Sequence, residues 1–250
     1  MQNVLLTLML LLAAGQALAL GQLADISIYD RVEQRTLPVY WHEGRAYVIG
    51  KPGNEYRIAL HNRGGADVLA VVSVDGVNVV TGETAAASQS GYVIDNWRSL
   101  DVNGWRKSLA RTAAFYFTDL PDSYAARTGR PDNVGVIGVA LFRRRVESPP
   151  LSFDRESPFK RKGRAEGDAR SQAAPQTAEK SLGTGHGRGE TSFARSVGFE
   201  RATSGPEEMI TLYYDSYPNL VARGVISSGP RHHHPQPFPS YFVPDPPQRW

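Results

Sequence analysis

Residues 68–142 decide the fold and read VLAVVSVDGVNVVTGETAAASQSGYVIDNWRSLDVNGWRKSLARTAAFYFTDLPDSYAARTGRPDNVGVIGVALF. Short runs of β-branched and aromatic residues alternate here with Gly, Asn, Asp and Pro, which is typical of short strands separated by turns. The nearly continuous apolar run at 68–74 predicts a central strand that is covered on both faces. Asp75-Gly76 directly after it predicts a hairpin turn. We therefore expect an all-β core.

Further strand signals lie on both sides of this hairpin. They are ADISIYD, LPVYW, RAYVI and EYRIALHN within residues 24–62, the segments 91–94, 99–102, 111–118 and 134–142, and the late runs SFARSVGFE (192–200) and EEMITLYYD (207–215). Residues 121–129 and 216–224 predict short helices, the second of which ends at Gly224. The expected fold class is an all-β, antiparallel β-sandwich or open barrel of about ten strands, with one or two short helices and a disordered insertion.

The two ends of the chain carry targeting and surface signals. Residues 1–19 combine an apolar run with the small-x-small pattern of a signal peptide that is cut after Ala19, which predicts a periplasmic or secreted protein. An uncleaved membrane anchor is the alternative, although polar residues interrupt the apolar run early. Residues 230–250 hold 7 prolines and several aromatic residues, which predicts an extended strap over the surface. Cysteine is absent, so disulfides and thiolate metal sites are excluded.

The middle of the chain separates two parts that we expect to be ordered. Residues 20–145 form the predicted main β domain, and residues 191–229 are predicted to pack back onto it. Residues 146–190 are predicted to be a disordered basic linker, because the 22 residues from Lys160 to Ser181 contain no Val, Ile, Leu, Met, Phe, Tyr or Trp.

The positive charge of the protein is concentrated in this linker. Residues 143–190 hold 11 Lys/Arg and 7 Asp/Glu, whereas the rest of the chain holds 17 and 18. The pI of about 9.1 therefore does not describe the folded parts. This distribution predicts weak, salt-sensitive adhesion to anionic surfaces through the linker, and no nucleic-acid binding.

None of the motif-like patterns forms a complete catalytic or metal site. Residues 183–189 read GTGHGRG, which departs from GxGxxG and follows no predicted strand, so a flexible polar hinge is predicted. His42-Glu43 begins HExxH, yet Ala46 occupies the position of the second histidine. The run His232–His234 favours a solvated polar stretch over a metal site, because adjacent side chains of an extended segment point to opposite sides. The sequence predicts neither a metal nor a cofactor.

Two Trp-Arg pairs are the candidate binding residues of the chain. They are Trp97-Arg98 and Trp105-Arg106. An exposed indole offers a flat face to a sugar ring, and a neighbouring guanidinium offers a bidentate fork to a carboxylate. The alternative interpretation is that both indoles are core residues with the arginines outside. The sequence leaves both interpretations open.

Several segments together resemble a family of exported bacterial proteins of unknown function. They are SVDGVNVVTGETA (73–85), QSGYVID (89–95), GWRKS (104–108), LPDSYAARTGRPDNVGVIGVALF (120–142), LGTGHGR with FER (182–188 and 199–201) and YYDSYPNLVARGVI (213–226). The resemblance covers roughly residues 25–142 and 182–226. It implies that the late segment belongs to the same module, and it brings no activity, cofactor or catalytic residue.

Two hypotheses from different classes follow for the function. The first is a non-enzymatic envelope or secreted interaction module that binds a cell-envelope protein or a glycan. The alternative is an extracytoplasmic hydrolase of polysaccharide or peptide, which uses carboxylates that only the fold brings together. A deep pocket with paired carboxylates of raised pKa would favour the enzyme, and an exposed aromatic surface would favour the binding module.

Overall fold

The computed structural model describes residues 20–146 and 181–227. The predicted signal peptide, most of the predicted linker, the histidine run and the proline-rich tail lie outside the described residues.

Fourteen strands and two short helices make up the described part of the chain. The strands are β1 (Ala24–Asp30), β2 (Arg35–Thr36), β3 (Val39–His42), β4 (Arg45–Ile49), β5 (Glu55–Asn62), β6 (Val68–Val74), β7 (Val77–Asn78), β8 (Tyr92–Ile94), β9 (Ser99–Val102), β10 (Gly104–Ser108), β11 (Arg111–Asp119), β12 (Val136–Arg143), β13 (Leu182–Thr191) and β14 (Glu208–Asp215). The helices are α1 (Tyr124–Arg127) and α2 (Tyr217–Ala222), and single 3-10 turns lie at Leu120–Asp122 and Pro131–Asn133. Gly224, with φ of +73°, follows α2 where the sequence predicts the helix to stop.

The strands form two seven-stranded sheets that face each other. The first has the order β10-β11-β5-β1-β2, with β13 also paired to β11 and β9 to β5. The second has the order β3-β4-β14-β12-β6-β7, with β8 also paired to β6. Strands take up 49% of the described residues and helices 9%, which confirms the all-β prediction and gives a sandwich-like fold without a closed barrel. The number of strands exceeds the expected ten because several, such as β2 and β7, have only two residues and leave no periodic signal.

The main core lies between the inner faces of the two sheets. Alternate residues of β5, namely Tyr56, Ile58 and Leu60, are buried there and at most 1% exposed. β6 contributes to two cores, as a strand covered on both faces must. Its even-numbered residues 68–74 join the main core, whereas Leu69 and Val71 pack on the outer face in a second cluster. The prediction of a doubly covered central strand at VLAVVSV is confirmed.

Residues 182–190, which we expected to be part of the disordered linker and a polar hinge, instead form strand β13. It pairs with β11 over the whole length of that strand, from Arg111↔Thr191 to Asp119↔Leu182. The expectation failed because it counted apolar side chains, whereas this strand is held mainly by backbone pairing. Its glycines allow close packing: a Cβ at Gly185 would lie 2.2 Å from the Tyr116 ring.

The late segment completes the second sheet. β14 lies between β4 and β12, so a strand that follows the linker is inserted among strands of the first part of the chain. β14 runs antiparallel to β12 but parallel to β4, from Leu212↔Ala46 to Asp215↔Ile49. The expectation of a purely antiparallel sandwich is therefore corrected by one parallel pair. A parallel pair needs a long connection, which the distant position of β14 in the chain supplies.

Residues 192–200, expected to be a strand, form no regular element. Near the end of this segment, Phe199 packs on the outer face of the second sheet, on the cluster of Leu69, Val71 and Phe142. The Arg201 guanidinium lies 4.2 Å from the centroid of the Phe142 ring and donates to the carbonyls of residues 87–89. Isolated backbone hydrogen bonds also hold this segment, from the Ser192 N–H to the Ala110 carbonyl and from the Arg145 N–H to the Glu200 carbonyl. They form no continuous ladder, so the alternating pattern misled the strand prediction.

Candidate functional site

Trp105 is a core residue, the alternative that the sequence left open. Its side chain is 3% exposed, and it contacts the ring of Phe115 edge to face at 5.2 Å between centroids. Its indole N–H donates to the Gly185 carbonyl at 3.0 Å, so it ties β10 to β13. A buried tryptophan with a satisfied N–H offers no face to a ligand. The binding role considered for Trp105 is therefore corrected to a structural one.

The Arg106 side chain is also bound to other groups of the protein. Its Nη1 donates to the Ser192 carbonyl at 2.6 Å, and its Nε donates to the Tyr92 hydroxyl at 3.2 Å. The guanidinium lies 5.6 Å from the centroid of the Tyr92 ring. These contacts use the donors that a ligand carboxylate would need. Arg106 thus attaches the segment after β13 to the rest of the sandwich.

Trp97, unlike Trp105, is exposed to solvent. Its side chain is 62% exposed, and its backbone has φ of +57°, a conformation that non-glycine residues adopt rarely. It lies in the corner 95–98, where the chain passes from β8 in the second sheet to β9 in the first. The Trp97 N–H donates to the Gly64 carbonyl at 3.1 Å. Of the predicted site residues, Trp97 is the one whose indole faces solvent.

The backbone around Trp97 is fixed by a buried amide. Asn62 is fully buried, and its Nδ2 donates to the carbonyls of Ile94 at 3.1 Å and Asp95 at 3.0 Å. Its backbone N–H donates to the Arg98 carbonyl at 2.9 Å, and its Oδ1 accepts from the Gly64 N–H at 2.9 Å. One side chain therefore holds both loops of this corner. We call residues 62–65 and 95–98 the Trp97 corner.

Arg98 lies in the same corner, and its side chain is exposed. It forms no ion pair within the described part of the chain. The predicted pairing of an indole with a free guanidinium is therefore present at Trp97-Arg98 and absent at Trp105-Arg106. The two dipeptides could not be separated by sequence, because both are followed by polar residues at similar spacing.

A buried carboxylate joins the two sheets. Asp75, in the hairpin turn after β6, is fully buried and accepts from the Tyr214 hydroxyl at 2.5 Å, the Gly135 N–H at 2.9 Å and the Thr184 N–H at 2.8 Å. The Thr184 hydroxyl in turn lies 2.6 Å from the hydroxyl of Tyr56. Burial raises the pKa of Asp75 to about 6, although these donors oppose that shift by favouring the charged form.

The raised pKa of Asp75 belongs to a buried network of protein groups. The oxygens of Asp75 are occupied by protein donors, and the hydroxyls of Tyr56 and Tyr214 are themselves buried. Burial is also the first cause that raises the pKa of both tyrosines well above the usual range. The sequence predicts Asp75 only as a turn residue. No local pattern indicates its contacts with Thr184 and Tyr214, because both residues lie more than 100 positions away in the chain.

A shallow depression of about 270 Å³ lies near the start of α2, between Leu37, Ile49 and Tyr217. Two carboxylates line it. Asp30 accepts from Asn54 at 2.7 Å, and Glu33 is paired with Arg35 at 2.7 Å and Lys51 at 3.2 Å. Both carboxylates are engaged in local contacts of the turns that carry them.

Comparisons with protein-family models, with curated proteins and with solved structures gave no match for this chain. The resemblance to a family of exported bacterial proteins therefore stays a prediction. Among the described residues, no group of three or more His, Cys, Asp or Glu side chains could hold a metal ion. No helix within residues 20–146 and 181–227 is long and apolar enough to cross a membrane.

Proposed function

We propose that this chain is an exported interaction module that binds a cell-envelope protein or a glycan through the Trp97 corner. One observation carries the proposal: the indole of Trp97 is 62% exposed while its backbone is held in a rare conformation by a fully buried asparagine. Backbone strain of this kind costs about 1–3 kcal/mol and persists only where the surrounding structure enforces it. An exposed indole on a fixed backbone is the type of side chain that anchors protein and sugar ligands.

The chemistry of the corner fits both ligand classes. The flat indole of Trp97 can stack on a sugar ring or fill an apolar pocket of a protein partner. Arg98 beside it can donate two parallel hydrogen bonds to a carboxylate. Little backbone entropy remains to be lost on binding at Trp97, because hydrogen bonds already fix the backbone of the corner in the free protein.

The experiment compares two exposed tryptophans. The protein beginning at Leu20 is immobilised and exposed to the cell-envelope fraction of its own source, and the retained protein and glycan are identified. Trp97→Ala is expected to lose the retained component, and Trp41→Ala is the matched control because Trp41 in β3 is 51% exposed and lies away from the corner. Equal retention by both variants would contradict the proposal.

The hydrolase alternative stays a prediction. Its strongest candidate residue in the described part, Asp75, has a raised pKa but lies between the sheets, where a substrate cannot reach it. An activity screen with Asp75→Asn distinguishes the two hypotheses. If a hydrolytic activity exists and Asp75→Asn abolishes it while the protein stays folded, the hydrolase hypothesis is supported and the interaction-module hypothesis is wrong.

A further inference from the structure

Two large apolar residues are exposed at the end of the first sheet where β10 turns into β11. The turn carries Leu109, which is 58% exposed, and the segment that follows β13 carries Phe193, which is 84% exposed. We call residues 108–111 and 192–195 together the apolar tip. Exposed apolar residues that lie together, unlike single ones, are typical of surfaces that contact another protein or a membrane.

Backbone hydrogen bonds hold the two segments of the apolar tip together. The Ala194 N–H donates to the Leu109 carbonyl at 2.7 Å, and the Ser192 N–H donates to the Ala110 carbonyl at 2.9 Å. These bonds lie on both sides of Phe193 in the chain, so they place its backbone beside the turn that carries Leu109. The apolar tip is therefore a defined feature of the fold, although its two segments are distant in the sequence.

Four carbonyls of the apolar tip accept hydrogen bonds within the protein. The Arg106 guanidinium donates to the Ser192 carbonyl at 2.6 Å and to the Ser108 carbonyl at 3.3 Å. The carbonyls of Leu109 and Ala110 accept from the segment after β13, as described above. The Ala110 N–H donates to the Ser108 hydroxyl oxygen at 3.2 Å. Because an unpaired backbone group is costly in an apolar phase, these internal bonds allow the tip to leave water without losing its partners.

Basic side chains flank the apolar tip. Lys107 and Arg111 are each two residues from Leu109, and Arg195 is two residues from Phe193. Two residues of chain span at most about 7 Å, so each basic residue starts close to an exposed apolar one. All three basic residues are exposed, and none of them forms an ion pair within residues 20–146 and 181–227.

The segments that form the apolar tip contain no acidic residue. None of residues 104–118 or 191–199 is Asp or Glu. Glu190, the acidic residue that precedes Phe193 in the chain, is paired with Arg31 and Arg188, in both cases at 2.7 Å. The tip thus combines apolar side chains with positive charge, and this combination is complementary to a surface that is apolar inside and negatively charged outside.

We propose that the apolar tip docks on a lipid bilayer that contains anionic headgroups. Leu109 and Phe193 enter the boundary between headgroups and acyl chains, where their apolar surface leaves water. Lys107, Arg111 and Arg195 stay at the level of the headgroups, beside phosphate oxygens. A bilayer offers an apolar phase beneath a layer of negative charge over its whole surface, which a folded protein partner would have to assemble in one place.

This docking is distinct from the two other binding proposals for the chain. The adhesion predicted for the linker needs charge alone, whereas docking of the tip needs apolar side chains as well. The Trp97 corner shares no residue with the apolar tip, so the two sites are tested by separate variants.

The first test measures cosedimentation of the protein beginning at Leu20 with vesicles of phosphatidylcholine and phosphatidylglycerol in equal parts. Leu109→Ser combined with Phe193→Ser is expected to weaken binding by roughly tenfold or more, because apolar contact is lost while every charge is kept. Trp41→Ser combined with Met209→Ser is the matched control, since these residues of the second sheet are 51% and 63% exposed. The control is expected to bind like the wild type. Unchanged binding by the tip variant would overturn the proposal and assign the adhesion to charge alone.

The second test removes charge from the tip. Arg111→Gln combined with Arg195→Gln is expected to weaken binding to the same vesicles by more than about tenfold, since each basic residue near an anionic surface contributes roughly a fivefold factor. Arg45→Gln combined with Lys51→Gln removes the same charge from exposed positions in or next to β4. Its binding is expected to stay within about twofold of the wild type in about 0.1 M salt, where distant charges are screened. Equal weakening in both double variants would contradict a localised contact.

The third test reports insertion directly. The chain contains no cysteine, so a single introduced thiol can be labelled. Phe193→Cys carrying an apolar, environment-sensitive fluorophore is expected to shift its emission to the blue on these vesicles, because the label leaves water. Met209→Cys with the same label is the control and is expected to show no shift. A label at position 193 that stays in water on bound protein would overturn the proposal, and neither outcome would affect the retention test of Trp97→Ala.

Discussion

Trp105 and Trp97 occupy two regions of the molecule that differ in burial and in the hydrogen bonding of the indole. Trp105 is 3% exposed and hydrogen-bonded between β10 and β13, whereas Trp97 is 62% exposed on a corner between the sheets. Each is followed by arginine, and Arg106 is bound to carbonyl and hydroxyl partners while Arg98 is free of ion pairs in the described residues. The same Trp-Arg dipeptide therefore serves the core in one place and faces solvent in the other, depending on the tertiary contacts around it.

The largest effect is expected on the interior side of this comparison. Trp105→Ala removes an indole that fills the core and leaves the Gly185 carbonyl without its donor. We expect the free energy of unfolding to fall by about 3–5 kcal/mol. Urea unfolding followed by circular dichroism measures it. A loss below about 1 kcal/mol would show that the indole is not packed as described.

The buried network of Asp75, Thr184 and Tyr214 gives a pH-dependent effect. The folded-state pKa of Asp75 is about 6, above the value of about 3.9 for an unfolded aspartate. Since the folded state binds this proton more tightly, its stabilising contribution is fully present below pH 4 and is lost as the pH rises through 6. We expect the free energy of unfolding to fall by on the order of 2–3 kcal/mol from pH 4 to pH 7, relative to Asp75→Asn.

This measurement needs the variant as its reference, because other groups titrate in the same range. Arg188 holds the pKa of Glu55 below its usual value, which acts in the opposite direction as the pH rises. Both proteins share that contribution, so it cancels in the difference. A difference that does not change between pH 4 and pH 7 would mean that the pKa of Asp75 is ordinary.

A smaller effect is expected at the strand that accepts the Trp105 hydrogen bond. Gly185→Ala would place a Cβ 2.2 Å from the Tyr116 ring, so the ring or the strand must shift. We expect a loss of about 1–3 kcal/mol by overpacking. Gly205→Ala is the control, because a Cβ at Gly205 meets no atom within 4 Å. If both variants unfold at the same urea concentration, β13 is not packed against Tyr116.

The smallest effect on stability is expected on the exposed side of the comparison. Trp97→Ala removes a side chain that is 62% exposed, and alanine is no more strained than tryptophan at the positive φ. We expect the free energy of unfolding to change by no more than about 0.5 kcal/mol, while binding is lost. Urea unfolding of this variant beside Trp105→Ala measures the contrast. A loss as large as that of Trp105→Ala would remove the distinction between the two regions.

Local patterns in the sequence were sufficient to predict the β-rich class, the doubly covered strand β6, the hairpin at Asp75-Gly76, and the end of α2 before Gly224. Each of these depends on residues that are neighbours in the chain: the alternation of side chains, an apolar run, or a turn residue that tolerates positive φ. The two sheets follow from the same patterns, because strands with one apolar face must bury it.

Tertiary structure alone decided the features that depend on contacts between distant residues. β13 is a strand because β11 pairs with it and Tyr116 needs glycine opposite its ring, and neither fact is visible in the polar sequence of residues 182–191. Whether an indole is buried depends on which strand pairs beside it, so Trp97 and Trp105 could not be told apart.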